Sequence, residues 1–325
     1  MKYYYMKNGE LRERKRRLVL AFKGRLRGSG SRYMRCNQLA DFVNRYFNET
    51  HEASVEIIPN PKDKPGRWRK FLKTVGGATL ITLKGSTDIL SEEQLLDLRT
   101  QTVCLGIDHV DSFAGGGVFR KADLHIASSQ ASQDFMRKKC ERISRRDGYD
   151  MPLIELVDHH ADERIQAAPQ PTNNKLKLTY IGNPENTHIP EEISPDVLKF
   201  TAEAQADFEK VLKEITQAHM HYCVRRESKL RQPKPFTKGF TAALADRNLL
   251  CTPEVHDAAR FLGDDYPFMT KGESDQDILD TFEFARDSIG SSEWNEGLRR
   301  IRAMRNEVRP NRIAKQIVDA VDKFY

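Results

Sequence analysis

The feature that most constrains this chain is a repeated alternation of short apolar runs with stretches of helical period. Leu18–Lys23 (LVLAFK) reads as a buried strand, followed by a turn over 24–30. A helix over about 31–47 comes next, with Tyr33, Cys36, Leu39, Ala40 and Val43 on one face. Ser54–Ile58, Thr79–Leu83, Val103–Ile107, Leu124–Ala127 and Leu153–Val157 read as further strands. Helices are expected near Trp68–Val75, from a cap at Ser91 to Leu98, and from about Ser129. Apolar strands alternating with helices predict a mostly parallel sheet covered on both faces. The segment Ile165–Lys175 is rich in Pro, Asn, Gln and Thr, lacks any period, and marks a linker. Beyond it the alternation restarts. Strands are expected at Leu176–Ile181, His219–Val224 and Leu249–Thr252, with helices over 202–217 and 237–245. Three helices, about 275–289, 292–306 and 312–324, close the chain.

The 325 residues suffice for two domains of roughly 150 each. The expected fold is therefore α/β, with two doubly wound Rossmann-like domains facing across a cleft. Their bounds are a basic arm at 1–17, a first domain at 18–164, the linker at 165–175, a second domain at 176–310, and a final helix at 311–325 that packs back toward the first domain. Ligands of such sheets sit at the carboxyl ends of the strands, so a cleft between the domains is the default site.

Composition narrows the function classes. No run approaches the roughly 20 apolar residues of a membrane span, and residues 1–17 are too charged for a secretory signal. Five cysteines, odd in number and never in a CxxC pair, argue against a disulfide framework and a structural zinc site. A soluble cytoplasmic protein is expected. Net charge is +6, and residues 1–35 hold twelve Lys/Arg against Glu10 and Glu13. A second cluster spans Arg137, Lys138, Lys139, Arg142, Arg145 and Arg146. Either cluster suits a polyanion: a phosphorylated ligand, the inner membrane surface or nucleic acid. Signatures of nucleic-acid-binding modules are missing from the sequence.

Four segments can carry chemistry. The loop Lys23-Gly24-Arg25-Leu26-Arg27-Gly28-Ser29-Gly30-Ser31-Arg32 joins strand to helix, where glycines and free N–H groups admit a phosphate; Gly28, Ser29, Gly30 and Arg32 are its candidate contacts. It ends in no Gly-Lys-Ser/Thr and lacks a third dinucleotide glycine, Tyr33 standing there. Asp108 and His109 follow a strand, and a carboxylate beside an imidazole suits general-base work; His125 is in the next strand and Gly115–Gly117 form a loop nearby. Asp158-His159-His160 precedes the linker, and His159 and His160 are candidate ligand contacts in the cleft, with no third or fourth metal ligand at a recognisable spacing. Asp275 and Asp277 read as helix-opening acids rather than metal ligands.

The fourth segment is the most informative. A strand ends in Arg225-Arg226, a basic loop with Lys234 and Lys238 feeds the small-residue helix Ala242-Ala243-Leu244-Ala245, and the next strand ends in Thr252-Pro253-Glu254. Cations with a helix N-terminus suit a diphosphate, and a carboxylate suits sugar hydroxyls.

That order of strand, basic loop, Lys-Pro-x-x-Lys, alanine-rich helix, strand and Thr-Pro-Glu resembles the donor half of GT-B-fold glycosyltransferases, and the resemblance runs along most of the chain. It implies a nucleoside-diphosphate sugar as co-substrate, bound mainly by the second domain, an acceptor bound mainly by the first, and transfer without a metal or other cofactor. It implies that Arg225, Arg226 and Lys238 hold the diphosphate, with Lys234 a further donor-binding residue. Thr252 and Glu254 would lie near ribose or sugar hydroxyls, Gly182 and Asn183 would approach the donor, and Asp108 or His109 would face the reacting centre. The two glutamates that many retaining members carry eight positions apart align with Lys234 and Ala242, and their Gly-x-Pro aligns with Arg247-Asn248-Leu249. The rival expectations are a Rossmann-type nucleotide-dependent oxidoreductase or epimerase, and a non-catalytic two-domain sugar- or anion-binding protein.

Overall fold

The computed structural model describes residues 4–7, 10–60, 65–111, 121–172, 175–201, 209, 211–212, 214–225 and 233–325. The chain divides into two compact units. One comprises Met1–Arg27, Ser31–Asp158 and Pro310–Tyr325, and the other Gly28–Gly30 and His159–Arg309.

The first unit opens with an antiparallel ribbon of β1 (Tyr4–Lys7) and β2 (Glu10–Glu13). Its main sheet has six parallel strands: β3 (Arg16–Lys23), β4 (His51–Ile58), β5 (Thr79–Leu83), β6 (Cys104–Asp108), β7 (Leu124–Ala127) and β8 (Leu153–Leu156). Their spatial order is β4-β3-β5-β6-β7-β8. The central strands are buried throughout, which is why they read as unbroken apolar runs. The helices between them are α1 (Leu39–Tyr46), α2 (Pro65–Val75), α3 (Glu92–Gln101) and α4 (Gln130–Asp147). Ser91 and Gln94 close a capping box on α3, and Ser129 caps α4, satisfying N–H groups that a helix start leaves open. Val19, Leu80, Leu105, Phe71, Val75, Leu98 and Met136 meet in one core cluster.

Ahead of α1, the turn Gly30–Arg32 runs into a π-helical stretch, Tyr33–Gln38, that buries Arg35, Cys36 and Gln38. Arg35 Nε donates to Asp108 Oδ2 at 2.7 Å, and its Nη1 donates to the Asp158 carbonyl at 3.0 Å. Side-chain exposure is 0% for Arg35 and 3% for Asp108, so each charge depends on the other for solvation. Gln316, on α9 (Pro310–Asp322), donates Nε2–H to Asp158 Oδ2 and accepts the Asp158 N–H. At the far end of α9, Asp322 bonds His51 Nε2 at 2.8 Å, and α9 packs on α1.

The second unit carries four parallel strands, β9 (Leu178–Ile181), β10 (Val197–Phe200), β11 (Met220–Cys223) and β12 (Asn248–Cys251), ordered β10-β9-β11-β12. α5 (Thr237–Ala245) joins β11 to β12, and α6 (Ala258–Leu262), α7 (Asp275–Asp287) and α8 (Ser292–Glu307) follow. The expectation of two doubly wound α/β units holds. Strand β10 and the ribbon β1–β2 were not expected, and most of the helix expected over 202–217 lies outside the described residues.

The residues standing at the Gly-x-Pro position have a structural account. Asp246 ends α5 in the left-handed conformation (φ 58°), which a short polar side chain tolerates, and its carboxylate pairs with Arg302. Arg247, fully buried, donates to the carbonyls of Ala218 (2.8 Å), Ala168 (2.8 Å) and Pro169 (2.7 Å). Arg247 thereby ties residues 168–169 to the β11–β12 region. Asn248 donates to the Trp294 carbonyl and accepts from the Tyr266 hydroxyl.

Removing one partner of a buried ion pair strands the other, at a cost of about 3–5 kcal/mol, whereas an exposed i,i+4 pair is worth under about 1 kcal/mol. Arg35→Ala is therefore expected to lower the urea-unfolding free energy of the first unit by several kcal/mol. Arg45→Ala, which breaks the exposed Arg45–Asp41 pair on α1, is expected to change it by a few tenths. Equal losses in the two variants would contradict the role given to Arg35.

Candidate functional site

In the second unit, β9 precedes β10 on one side of the sheet and β11 on the other, so the chain reverses direction between β9 and β11. At such a reversal the connections leave on opposite faces and open a crevice at the strand carboxyl ends. The residues at that crevice are Gly182 and Asn183 after β9 and Arg225 just after β11. α5 starts beside them with Lys238 in its first turn.

Gly182 has φ +144°, a backbone conformation closed to residues with a Cβ, and a Cβ there would lie 3.2 Å from the Tyr180 hydroxyl and 3.6 Å from Lys238 Nζ. The Lys238 ammonium stands 5.0 Å from the centroid of the Tyr180 ring, and Tyr180 Oη donates to the Asn183 carbonyl at 2.8 Å. Burial holds the Lys238 pKa below its usual value. The Cys223 thiol opposes the shift, while Arg225 and Lys234 add to it. Arg225 also acts on Tyr180, Cys223 and His256, and with burial it holds the His256 imidazole below its ordinary pKa. Burial pushes Tyr180 up to about 12, so the phenol stays neutral beneath the ammonium. Three cations thus converge at the end of one parallel sheet, and concentrated positive charge of this kind draws an anion.

The other expected donor contacts distribute unevenly. The Asn183 side chain accepts from the Glu185 N–H and caps the turn Pro184–Asn186, so it shapes the loop. Thr252 is buried just after β12 and its carbonyl accepts from the Val255 N–H, while Glu254 is exposed in the same turn. His256 lies three residues beyond Pro253 and within range of Arg225; neither it nor Tyr180 was singled out in the sequence, because a lone ring carries no spacing signal. Arg226 lies outside the described residues. Gly239 has a packing role: a Cβ there would sit 2.3 Å from the Phe236 ring, so glycine lets α5 start against that ring. His221, on β11, is a core histidine whose pKa falls to about 3 through burial and then Arg247.

In the first unit, Asp108 ends β6 and His109 follows it, and both are 2% exposed. Asp108 is occupied on both oxygens, Oδ2 by Arg35 and Oδ1 by the Val110 N–H at 3.1 Å; Val110 itself adopts φ +55°. His109 Nε2 lies 2.8 Å from His125 Nδ1 on the adjacent strand, with the rings stacked at 5.1 Å. The loop with Gly115–Gly117 lies outside the described residues. In the glycine loop, Gly28 and Gly30 are exposed and Ser29 is half-buried, whereas Arg32 donates to Asn37 Oδ1 at 2.8 Å and lies over the Phe22 ring. His159 and His160 are buried, and His159 Nδ1 accepts the His160 N–H at 2.9 Å. Among the described residues no three His, Cys, Asp or Glu side chains gather as a metal site, and no helix is long and apolar enough to cross a membrane.

No protein-family model matches the sequence, and no curated protein does. Solved structures do match. Alr3699/HepE of Anabaena, solved in complex with UDP, is 12% identical, with 95% of this chain and 100% of that chain covered and a TM-score of 0.62. The lipopolysaccharide outer core galactosyltransferase WaaB in its apo form is 10% identical, with 95% and 100% covered and a TM-score of 0.58. A glycosyltransferase from Rickettsia africae ESF-5 is 7% identical, with 95% and 98% covered and a TM-score of 0.57. Full-length likeness to glycosyltransferase structures, together with the two parallel sheets, gives this chain the GT-B fold of two Rossmann-like domains.

Proposed function

We propose that the chain is a glycosyltransferase that moves a sugar from a nucleoside-diphosphate sugar to an acceptor hydroxyl without a metal ion. The observation that carries the reading is the cluster of Lys238, Arg225 and Lys234 at the strand-order reversal of the second unit, with the Lys238 pKa held down by burial and cationic neighbours. A diphosphate placed there relieves that repulsion, and the cations stabilise the charge that grows on it as the glycosidic C–O bond breaks. The absence of a Cβ at Gly182 lets backbone approach the phosphates. By the resemblance Arg226, outside the described residues, also binds the diphosphate; Thr252 and Glu254 take ribose or sugar hydroxyls, and Gly28, Ser29, Gly30 and Arg32 belong to the acceptor side. The Rossmann oxidoreductase reading is not favoured, since the structural matches are glycosyltransferases.

The acceptor hydroxyl loses its proton as the new C–O bond forms. Asp108 already accepts from Arg35 and from Val110, so it acts as a positioning residue that holds the turn 108–110. His109 is the base in this reading. In the tautomer in which its Nε2–H donates to His125 Nδ1, the Nδ1 of His109 is the atom that takes the proton. His109→Ala is expected to lower turnover by roughly 10²-fold or more. Lys238→Ala, which removes charge at the leaving group, is expected to lower it by roughly 10²–10³-fold. Product formation from a nucleotide-sugar panel reads both, and wild-type turnover in both variants would overturn the assignment.

A bound diphosphate favours charged Lys238, so binding raises a pKa that burial had lowered. Affinity is therefore full below the lowered value and falls as pH rises through the interval between the free and bound values, where binding takes up a proton. Calorimetry with inorganic pyrophosphate in two buffers of different ionisation enthalpy is expected to show proton uptake on the alkaline side, lost in Lys238→Gln. An affinity that does not change with alkaline pH would contradict the placement of the diphosphate at Lys238.

A further inference from the structure

A second cavity, of about 570 Å³, lies wholly within the first unit, at the carboxyl ends of β3 and β4 and against α2. It belongs to none of the residues assigned above to donor or base. Its rim carries Lys23, Arg25, Arg27, Arg67 and Lys70 against a single lining carboxylate, Glu56. Its floor is apolar, formed by Ile58 and Phe71, which are buried, and by Ile89. Asn60 and Thr74 add neutral polar groups.

The cations come from three separate places in the sequence: the end of β3, the turn that follows it, and one face of α2, where Arg67, Lys70 and Thr74 follow at helical spacing. Lys23 is 6% exposed, its Nζ donates to the Gly85 carbonyl at 2.8 Å, and burial, then Arg25, hold its pKa below the usual value, with Asp88 opposing. Lys23 is therefore partly met by the Gly85 carbonyl and Asp88, and the excess positive charge of the rim lies with Arg25, Arg27, Arg67 and Lys70. Gly24, also on the rim, has open space where a Cβ would stand and no left-handed φ, so the fold places no demand for glycine there. Glycine at that point leaves room for a ligand to reach the backbone instead.

We propose that this cavity binds an anionic saccharide, a sugar bearing a phosphoryl or carboxylate group, and that such a saccharide is the acceptor. The inference rests on the glycosyltransferase reading for the word acceptor, and on the cavity alone for the anionic sugar. The volume falls in the range of small-ligand sites and holds one or two sugar rings. A ring stacks its C–H face on Ile58, Phe71 and Ile89, while guanidinium forks at Arg25, Arg27 and Arg67 take the anionic group in bidentate fashion. A neutral sugar makes no charge-assisted contact with a rim of five cations and one carboxylate, so the cavity discriminates by charge. The recognition is partly exposed to solvent and weakens with added salt.

The test is a binding titration of the full chain with glucose 6-phosphate and with a trigalacturonate, each beside its neutral counterpart, at two salt concentrations. At least one anionic saccharide is expected to bind tenfold or more tightly than its neutral counterpart, and the preference shrinks at high salt. Binding of the phosphate alone assigns a phosphoryl acceptor, and binding of the uronate alone a carboxylate one. Arg67→Glu and Lys70→Glu replace exposed side chains on α2, which keeps folding intact, and each is expected to weaken that binding at least tenfold while the response to pyrophosphate is retained. Equal binding of charged and neutral sugars, or variants that bind as wild type does, would overturn the proposal. If the anionic saccharide binds and no nucleotide-sugar turns over, the cavity assignment stands and the transferase reading falls. If turnover occurs only with neutral acceptors, the reverse holds.

Discussion

A parallel strand cannot be followed by its neighbour through a tight turn; the chain must cross back over the sheet, so every strand of a sheet ends at the same edge. That constraint governs where chemistry can sit in this protein. All six strands of the first sheet and all four of the second run in parallel. The loops that follow β3, β6, β9, β11 and β12 therefore emerge at carboxyl edges, and they hold the glycine loop, Asp108 and His109, Gly182, Arg225 and Thr252. Within each unit, side chains far apart in sequence thus reach one sheet edge without any loop having to be long.

The buried cations divide into those whose charge the fold consumes and those crowded by other cations. Arg35 and Arg247 are consumed: the first neutralises Asp108, and the second bridges backbone carbonyls of residues 168, 169 and 218. Burying a guanidinium stabilises a structure only when its donors are met, and the carbonyls around Arg247 meet them. Lys238 and Lys23 are the opposite case. Each sits among other cations with its pKa held down. Electrostatic cost retained at a strand end is a mark of a binding site rather than of a core.

Much of the fold was legible in the sequence, because buried parallel strands must be apolar along their whole length. LVLAFK, TLITL and CLGID each carry that mark. Strand β10 does not: it is four residues at a sheet edge, only Val197 of them buried, and its VLKF pattern is too short to declare a period. The π-helical stretch at Tyr33–Gln38 was equally hidden: no sequence period marks it, and the partner of its buried Arg35, Asp108, lies 73 positions away. The donor cluster was visible because Arg225, Lys234 and Lys238 crowd within one connection. The anionic cavity was only half visible: Lys23, Arg25 and Arg27 belonged to a noticed loop, but Arg67 and Lys70 join them through tertiary packing.

In the proposed reaction the crevice between β9 and β11 holds a nucleoside diphosphate. The most direct measurement is the thermal shift of the full chain with UDP, GDP, ADP, CMP, their sugars, and NAD(H) and NADP(H). One nucleoside diphosphate is expected to raise the melting temperature selectively, since a ligand at 100 times its Kd stabilises the native state by about 2.7 kcal/mol. No response to any nucleoside diphosphate, with a shift for a nicotinamide dinucleotide instead, would contradict the account.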